Sequence, residues 1–321
     1  MIIGGAEDKL RKRRILKEFV AAAGGLDARI AVIPTASSLG PEIVDVYDAV
    51  FRAEGAAEVV EVRPHTREDA GDPDLVKRLS EATGIFMTGG NQLKLSAIIC
   101  GTPVGDAIVE AHQRGVVVAG TSAGASIQSS HMVAFGVGGA TPRQRMTQVA
   151  AGLGLLESTV IDQHFAQRNR YGRLLMIVSQ SPSLLGLGID EDTAAVVETD
   201  RDGHEVLRVV GRGAVTIMDP ANLVTSAYEA KRSAPLLASG IVLHVLPQGA
   251  RFDLTTRTLL TQQGAVDPLE EQEMVEAGHD LSQMARDIAA ADASPTSLRR
   301  RLARSRVARQ ALRNDQDEET R

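Results

Sequence analysis

The chain has 321 residues, enough for one large α/β domain with a sizeable core or for two modest ones. Its 35 Lys and Arg against 41 Asp and Glu give a net charge of -6, which argues against a general nucleic-acid binder. Three Tyr, six Phe and no Trp leave few surfaces on which bases or sugars could stack. The single cysteine, Cys100, excludes an internal disulfide framework and a thiolate metal cluster. Lying in the apolar run Leu95-Ser96-Ala97-Ile98-Ile99-Cys100, it reads as a small buried hydrophobe.

Taken in chain order, the hydrophobic pattern alternates between short apolar runs and amphipathic stretches. Residues 1–3 form a strand stub, 9–23 a helix, 29–34 a strand and 41–54 a helix opened by Pro41. A strand over 57–62, a helix over 73–81 and a strand over 84–87 follow, the last ending at Thr88-Gly89-Gly90-Asn91-Gln92. Helices over 92–99 and 103–113 precede a strand over 116–119. This alternation predicts a mostly parallel, doubly wound sheet between helical layers. Further strands are expected over 159–161, 184–189, 214–218 and 241–246, with a hairpin of 194–198 and 205–210 around Asp202-Gly203. They make the C-terminal half an antiparallel extension of the same sheet, so that residues 1–265 form one catalytic α/β domain.

Residues 266–321 differ in kind. Glu270, Glu271, Glu273 and Glu276 are followed, after Ser294-Pro295, by arginines at 299, 300, 301, 304, 306, 309 and 313 and then by an acidic end. A charged appendage, helical or partly disordered, is expected. No apolar targeting segment follows Met1-Ile2-Ile3 and no 18-residue apolar stretch occurs, so a cytosolic protein with no membrane partner is expected.

The most chemical stretch is Val116-Val117-Val118-Ala119-Gly120-Thr121-Ser122-Ala123-Gly124-Ala125, a buried strand breaking through small residues into a helix. A serine at such a break either caps the helix or stands proud of the sheet edge as a nucleophile. A nucleophilic hydroxyl needs a base, and His164 in Asp162-Gln163-His164-Phe165 falls just beyond an expected strand end. The base needs an orienting acid. Asp190, Glu191 and Asp192 follow another apolar run; Glu191 and Asp190 are the leading candidates, and composition does not choose between them. Backbone N–H groups of Ala123 and of the glycine loop 89–90 are placed to form an oxyanion hole. Neither G-x-G-x-x-G nor G-x-x-x-x-G-K-[ST] occurs, which argues against nucleotide binding. Arg168, Arg170 and Arg173 follow the histidine, and guanidinium forks of this kind match carboxylates on a substrate, although a solvated basic helix would read the same way.

Five segments together resemble the cyanophycinases, serine exopeptidases grouped with the dipeptidase E peptidases. They are Ile3-Gly4-Gly5-Ala6-Glu7-Asp8-Lys9, Thr88-Gly89-Gly90-Asn91-Gln92, Gly120-Thr121-Ser122-Ala123-Gly124-Ala125, Asp162-Gln163-His164-Phe165 with its arginines, and Gly186-Leu187-Gly188-Ile189-Asp190-Glu191-Asp192-Thr193-Ala194. The resemblance implies a three-layer αβα fold like that of class I glutamine amidotransferases, with Ser122 as nucleophile, His164 as base and Glu191 as orienting acid. It implies Gly90 and Ala123 as oxyanion donors, and Asn91, Gln92, Gln163, Arg168, Arg170 and Arg173 as substrate-binding residues. The implied substrate is cyanophycin, multi-L-arginyl-poly-L-aspartate, or β-linked aspartyl-arginine peptides, released as the β-aspartyl-arginine dipeptide. A homodimer is implied, and neither a metal nor an organic cofactor is. Glu7, Asp8 and the neighbourhood of Glu191 are candidate partners for the polymer's arginine side chains. The rival expectations are a related serine dipeptidase for small aspartyl or isoaspartyl peptides and a non-catalytic homologue that binds an acidic polymer.

Overall fold

The structure, a computed structural model, describes residues 1–260. The charged extension expected over 266–321 lies outside the described residues. The N-terminal half alternates as its pattern predicts: β1 (Ile2–Ile3), α1 (Arg14–Ala22), β2 (Arg29–Ile33), α2 (Glu42–Ala53), β3 (Glu58–Glu61), α3 (Pro73–Ser80), β4 (Gly84–Met87), α4 (Gln92–Ile99), α5 (Pro103–Gln113), β5 (Val117–Thr121) and the single-turn α6 (Ala123–Ser126). Pro73 and Pro103 each open a helix behind a capping side chain, Asp72 or Thr102. α1 starts five residues later than the expected helix over 9–23, and the cause is local. The Asp8 carboxylate accepts from the amides of Leu10, Arg11, Lys12 and Arg13, which holds them in a turn instead of a helix.

The C-terminal half continues with β6 (His131–Gly136), β7 (Thr147–Ala151), β8 (Thr159–Gln163), α7 (Tyr171–Gln180), β9 (Leu185–Ile189), β10 (Thr193–Thr199), β11 (Glu205–Gly211), β12 (Val215–Asp219), β13 (Val224–Thr225), β14 (Ala238–Ser239), β15 (Val242–Leu246), β16 (Arg251–Asp253) and β17 (Thr258–Leu260). Among the described residues the large sheet has nine strands in the order β17-β16-β11-β10-β1-β5-β4-β2-β3. Its β1-β5-β4-β2-β3 part is parallel, and β10, β11, β16 and β17 extend it antiparallel.

Two helical layers cover the parallel part, one on each face, making three layers with the sheet. α1 and α2 seal one face with Leu16, Phe19, Tyr47 and Phe51 against Ile30, Val32 and Phe86. α3, α4 and α5 seal the other with Leu79, Leu95 and Ile108 against Ile33, Ile85 and Val118. Beyond β1 the architecture departs from the expected single sheet. β8, β9, β12 and β15 form a second, four-stranded sheet in the order β15-β12-β9-β8. Its Leu185, Leu187, Ile189 and Ile217 pack on Ile2, Ala195, Leu207 and Val209 of the large sheet, while α7 covers its far face with Leu174, Ile177 and Val178. Alternating inward residues on both sheets make this a sheet-on-sheet core, a pairing that one strand's periodicity cannot announce.

Candidate active site

The chemistry-bearing loops all leave the C-terminal ends of strands. Ile3 pairs with Thr121 and Met87 with Gly120, so the chain segments after β1, β4 and β5 emerge side by side. Gln163 pairs with Ile189 in the second sheet, which brings out the segments after β8 and β9 together. Parallel strands collect loops at one edge in this way, and ligand sites form there.

Ser122 sits between β5 and α6 with φ 53° and ψ −104°, a sparsely populated backbone conformation for a residue carrying a side chain. Its Oγ lies 3.0 Å from His164 Nε2, and His164 Nδ1 lies 2.6 Å from Glu191 Oε1. Because a carboxylate only accepts, the Nδ1–H donates to Glu191, which leaves Nε2 free to accept the Ser122 O–H. Burial lowers the imidazole pKa below its ordinary value; the Glu191 hydrogen bond opposes that and the positive charge of Arg168 adds to it. The imidazole is therefore neutral, and competent to take a proton, near pH 7. Asp190 is occupied elsewhere: its two oxygens accept from the amides of Ala166 and Ala214. The structure thus places Glu191, rather than Asp190, on the imidazole.

The amides of Gly90 and Ala123 donate to no acceptor among the described residues. Gly89 is close enough that a Cβ there would stand 3.4 Å from Ser122 Cβ. Gly90 has φ +144°, and a Cβ on it would fall 2.1 Å from the Ala36 carbonyl oxygen, so only glycine lets the loop pass so close to Ala36. Asn91 caps α4 by accepting from the Lys94 amide, and Gln92 donates to the Val133 carbonyl of β6.

The three arginines separate. Arg168 is exposed, and its side chain has no hydrogen-bond or ion-pair partner among the described residues, although its amide donates to the His164 carbonyl at 3.0 Å. Arg173 is 2% exposed, and its Nε lies 2.5 Å from Asp162 Oδ2 while a second nitrogen bonds Asp162 Oδ1. Arg170 reaches Asp162 Oδ1 at 3.1 Å and Gln163 Oε1 at 2.7 Å, and burial brings its guanidinium down to about 10, still cationic at neutral pH. The carboxylate that these two forks meet is the chain's own Asp162. Gln163, 2% exposed, is held in place by Arg170. Glu7 and Asp8 are likewise engaged, Glu7 by three side chains and Asp8 by four amides, so neither offers an open carboxylate to a guanidinium. Among the described residues no group of three or more His, Cys, Asp or Glu side chains is placed to hold a metal ion, and no helix is long and apolar enough to cross a membrane.

Residues 1–203 match the model of peptidase family S51. The chain belongs to that family. It is 42% identical over 262 residues to a cyanophycinase from a Nostoc species, covering 81% of this chain and 87% of the relative. With the cyanophycinase of Synechococcus elongatus it shares 42% identity over 258 residues, 80% of this chain and 79% of the other. With that of Geminocystis herdmanii the identity is 40% over 258 residues, 80% and 93% of the two chains. A solved peptidase from an acI-B1 actinobacterium has the same fold at a TM-score of 0.53 and 23% identity, covering 75% of this chain and 95% of its own.

In this S51 chain the loops that carry Ser122, His164 and Glu191 meet on a support that side-chain reasoning missed, the turn after β1. Three successive carbonyls accept from them: Ile3 from the Ser122 amide at 3.0 Å, Gly4 from His164 at 2.8 Å and Gly5 from Asp192 at 2.9 Å. Gly5, at φ +100°, lies directly beneath the imidazole. Gln167 adds a further tie by accepting from the Glu191 amide at 3.1 Å. The Gly4-Gly5 pair was the one sequence signal for this support, because small residues mark places where backbone must approach closely.

Proposed function

We propose that the protein is a serine exopeptidase that releases β-aspartyl-arginine dipeptides from cyanophycin. The observation that carries the chemistry is the Ser122–His164–Glu191 line, with contacts of 3.0 and 2.6 Å, ending beside two free amides. The 40–42% identity to cyanophycinases over four-fifths of the chain carries the substrate.

In this reading Ser122 Oγ attacks the scissile carbonyl as its proton passes to His164 Nε2. The Gly90 and Ala123 amides stabilise the tetrahedral oxyanion. His164 then protonates the leaving nitrogen, and water, activated by the same imidazole, hydrolyses the ester. Asn91, Gln92 and Gln163 are the substrate-facing amides of this reading, and the exposed Arg168 side chain is open to a substrate carboxylate. Arg170 and Arg173 contribute by fixing Gln163 and Asp162. Each arginine branch of the polymer carries a free carboxylate, which suits Arg168. The assembly is a homodimer in this reading, which light scattering of the purified protein checks.

The test is incubation with insoluble cyanophycin and identification of the soluble products by mass. Wild type yields the dipeptide, and Ser122→Ala falls by several orders of magnitude to background. Release of dipeptide by Ser122→Ala at the wild-type rate overturns the covalent mechanism. Turnover of small aspartyl dipeptides with no release from polymer assigns the chemistry to a dipeptidase instead, and failure of a serine-reactive phosphonate to label Ser122 points to a binder.

A further inference from the structure

Directly behind the nucleophile lies a carboxylate that the triad does not use. The Glu7 side chain is 1% exposed, and its oxygens take three donors. Oε2 accepts from Thr121 Oγ1 at 2.5 Å, and Oε1 accepts from Tyr47 Oη at 2.7 Å and Lys9 Nζ at 2.6 Å. Tyr47 is itself 2% exposed, and burial beside Glu7 raises its pKa well above the ordinary value, so it remains a donor. The Lys9 ammonium also sits 5.2 Å from the centroid of the Tyr47 ring.

A buried carboxylate is costly unless its lone pairs are filled, and here they are filled by residues from three places in the fold. One donor comes from the β1 exit, one from α2 and one from the last residue of β5. Thr121 is the residue before Ser122, whose amide is tied to Ile3 and whose φ of 53° persists only where neighbours overdetermine it. The Ile3 carbonyl holds the nucleophile's backbone, and Glu7 holds the side chain one position earlier. Together they fix the peptide between residues 121 and 122 from two sides.

We propose that Glu7 is a positioning residue for the nucleophile, acting through its hydrogen bond from Thr121 Oγ1 to set where Ser122 Oγ meets His164 Nε2. The proposal rests on Ser122 as nucleophile but not on the identity of the substrate. A shift of about 1 Å at a reacting atom costs on the order of a hundredfold in rate. Releasing one of the two restraints is therefore expected to lower chemistry tenfold to a hundredfold and leave substrate binding almost untouched.

The experiment measures phosphonate labelling of Ser122, together with kcat and KM on polymer, each per titratable active site so that misfolded protein does not count. The variants of the full chain are Thr121→Val, which keeps the shape and drops the hydroxyl, Thr121→Ser, which keeps the hydroxyl, Glu7→Gln, and the Thr121→Val/Glu7→Gln double. Thr121→Val and Glu7→Gln are expected to slow labelling and kcat at least tenfold with KM within about threefold, and Thr121→Ser to recover to within about threefold of wild type. Because both substitutions act on one bond, the double is expected to be no slower than the slower single by more than about threefold. Thr121→Val labelled at the wild-type rate overturns the proposal, as does a double variant showing the product of the two single effects. A wild type that takes no label overturns the nucleophile reading and this proposal with it, whereas a labelled wild type with unaffected variants overturns this proposal alone.

Discussion

Replacing Gly5 with alanine tests whether the turn after β1 supports the catalytic base. The new Cβ would stand 2.3 Å from His164 Cε1, 2.5 Å from Nε2 and 3.0 Å from Nδ1. Carbon atoms in ordinary contact lie about 3.5–4.0 Å apart, so the ring must retreat by about 1 Å or more. The Ser122–His164 contact, now 3.0 Å, then opens beyond the range in which a hydroxyl hydrogen bond persists. A misplacement of that size costs on the order of a hundredfold, and complete loss of general-base assistance about 10²–10⁴-fold. Alanine at the observed φ of +100° also carries a backbone penalty of about 1–2 kcal/mol. Gly115→Ala separates the two effects: Gly115 has φ +87° with no heavy atom within 4 Å of a new Cβ, so it takes the backbone penalty without the clash. Dipeptide release at saturating polymer, per titrated active site, is therefore expected to fall at least a hundredfold in Gly5→Ala and to stay at the wild-type level in Gly115→Ala, with melting temperature lowered in both. A Gly5→Ala enzyme turning over within about threefold of wild type would refute the reasoning.

The pH profile of kcat/KM should rise through a single inflection below the ordinary histidine pKa of 6.5 and be flat by neutrality, because burial favours the neutral, proton-accepting imidazole. Glu191→Gln removes a contribution that raises that pKa, so its inflection moves further to the acid side while the plateau drops by about 10³–10⁴-fold. Arg168→Met removes a cation that lowers it, so its inflection moves up, and KM for polymer rises without loss of stability. Arg173→Met breaks a fully buried pair with Asp162 and is expected to cost about 3–5 kcal/mol in denaturant unfolding; a loss no larger than that of Arg168→Met would show that Arg170 alone neutralises Asp162. Truncation after residue 265 is expected to keep dipeptide release, and an inactive but folded truncation would show that the charged extension takes part in catalysis.

Local pattern carried most of the parallel half, since helices such as Glu42–Ala53 and Pro103–Gln113 and strands such as Arg29–Ile33 announce themselves by periodicity and by their opening prolines. It also brought Ser122, His164 and the Asp190–Glu191 pair to one edge, because each follows an apolar run and parallel strands deliver such positions there, whereas the choice of Glu191 over Asp190 came from the family resemblance alone. Two kinds of fact were not legible. The first is which strand pairs with which: Leu185–Ile189 reads as a buried strand in either sheet, and only tertiary packing puts it in the smaller one. The second is whether a charged side chain is already satisfied. Arg173, Asp8 and Glu7 all read as available to a ligand, and all three are engaged within the chain.

The division into two sheets changes what the catalytic distance means. Ser122 is carried by the large sheet, and His164 and Glu191 by the small one, so the 3.0 Å between Oγ and Nε2 is a distance between sheets. Side-chain packing of Ile2, Ala195 and Leu207 on Leu187 and Ile189 sets the spacing of those sheets, but apolar contact is non-directional and does not by itself set an angle. Direction comes from the three carbonyls of Ile3, Gly4 and Gly5, which accept from Ser122, His164 and Asp192 on three different loops. A hydrogen bond weakens steeply once bent, so three of them radiating from adjacent peptide units restrain orientation as well as separation. Ser122 and His164 are thus aligned by backbone, at a turn where side chains would collide, and the residue types that make this possible are the two glycines.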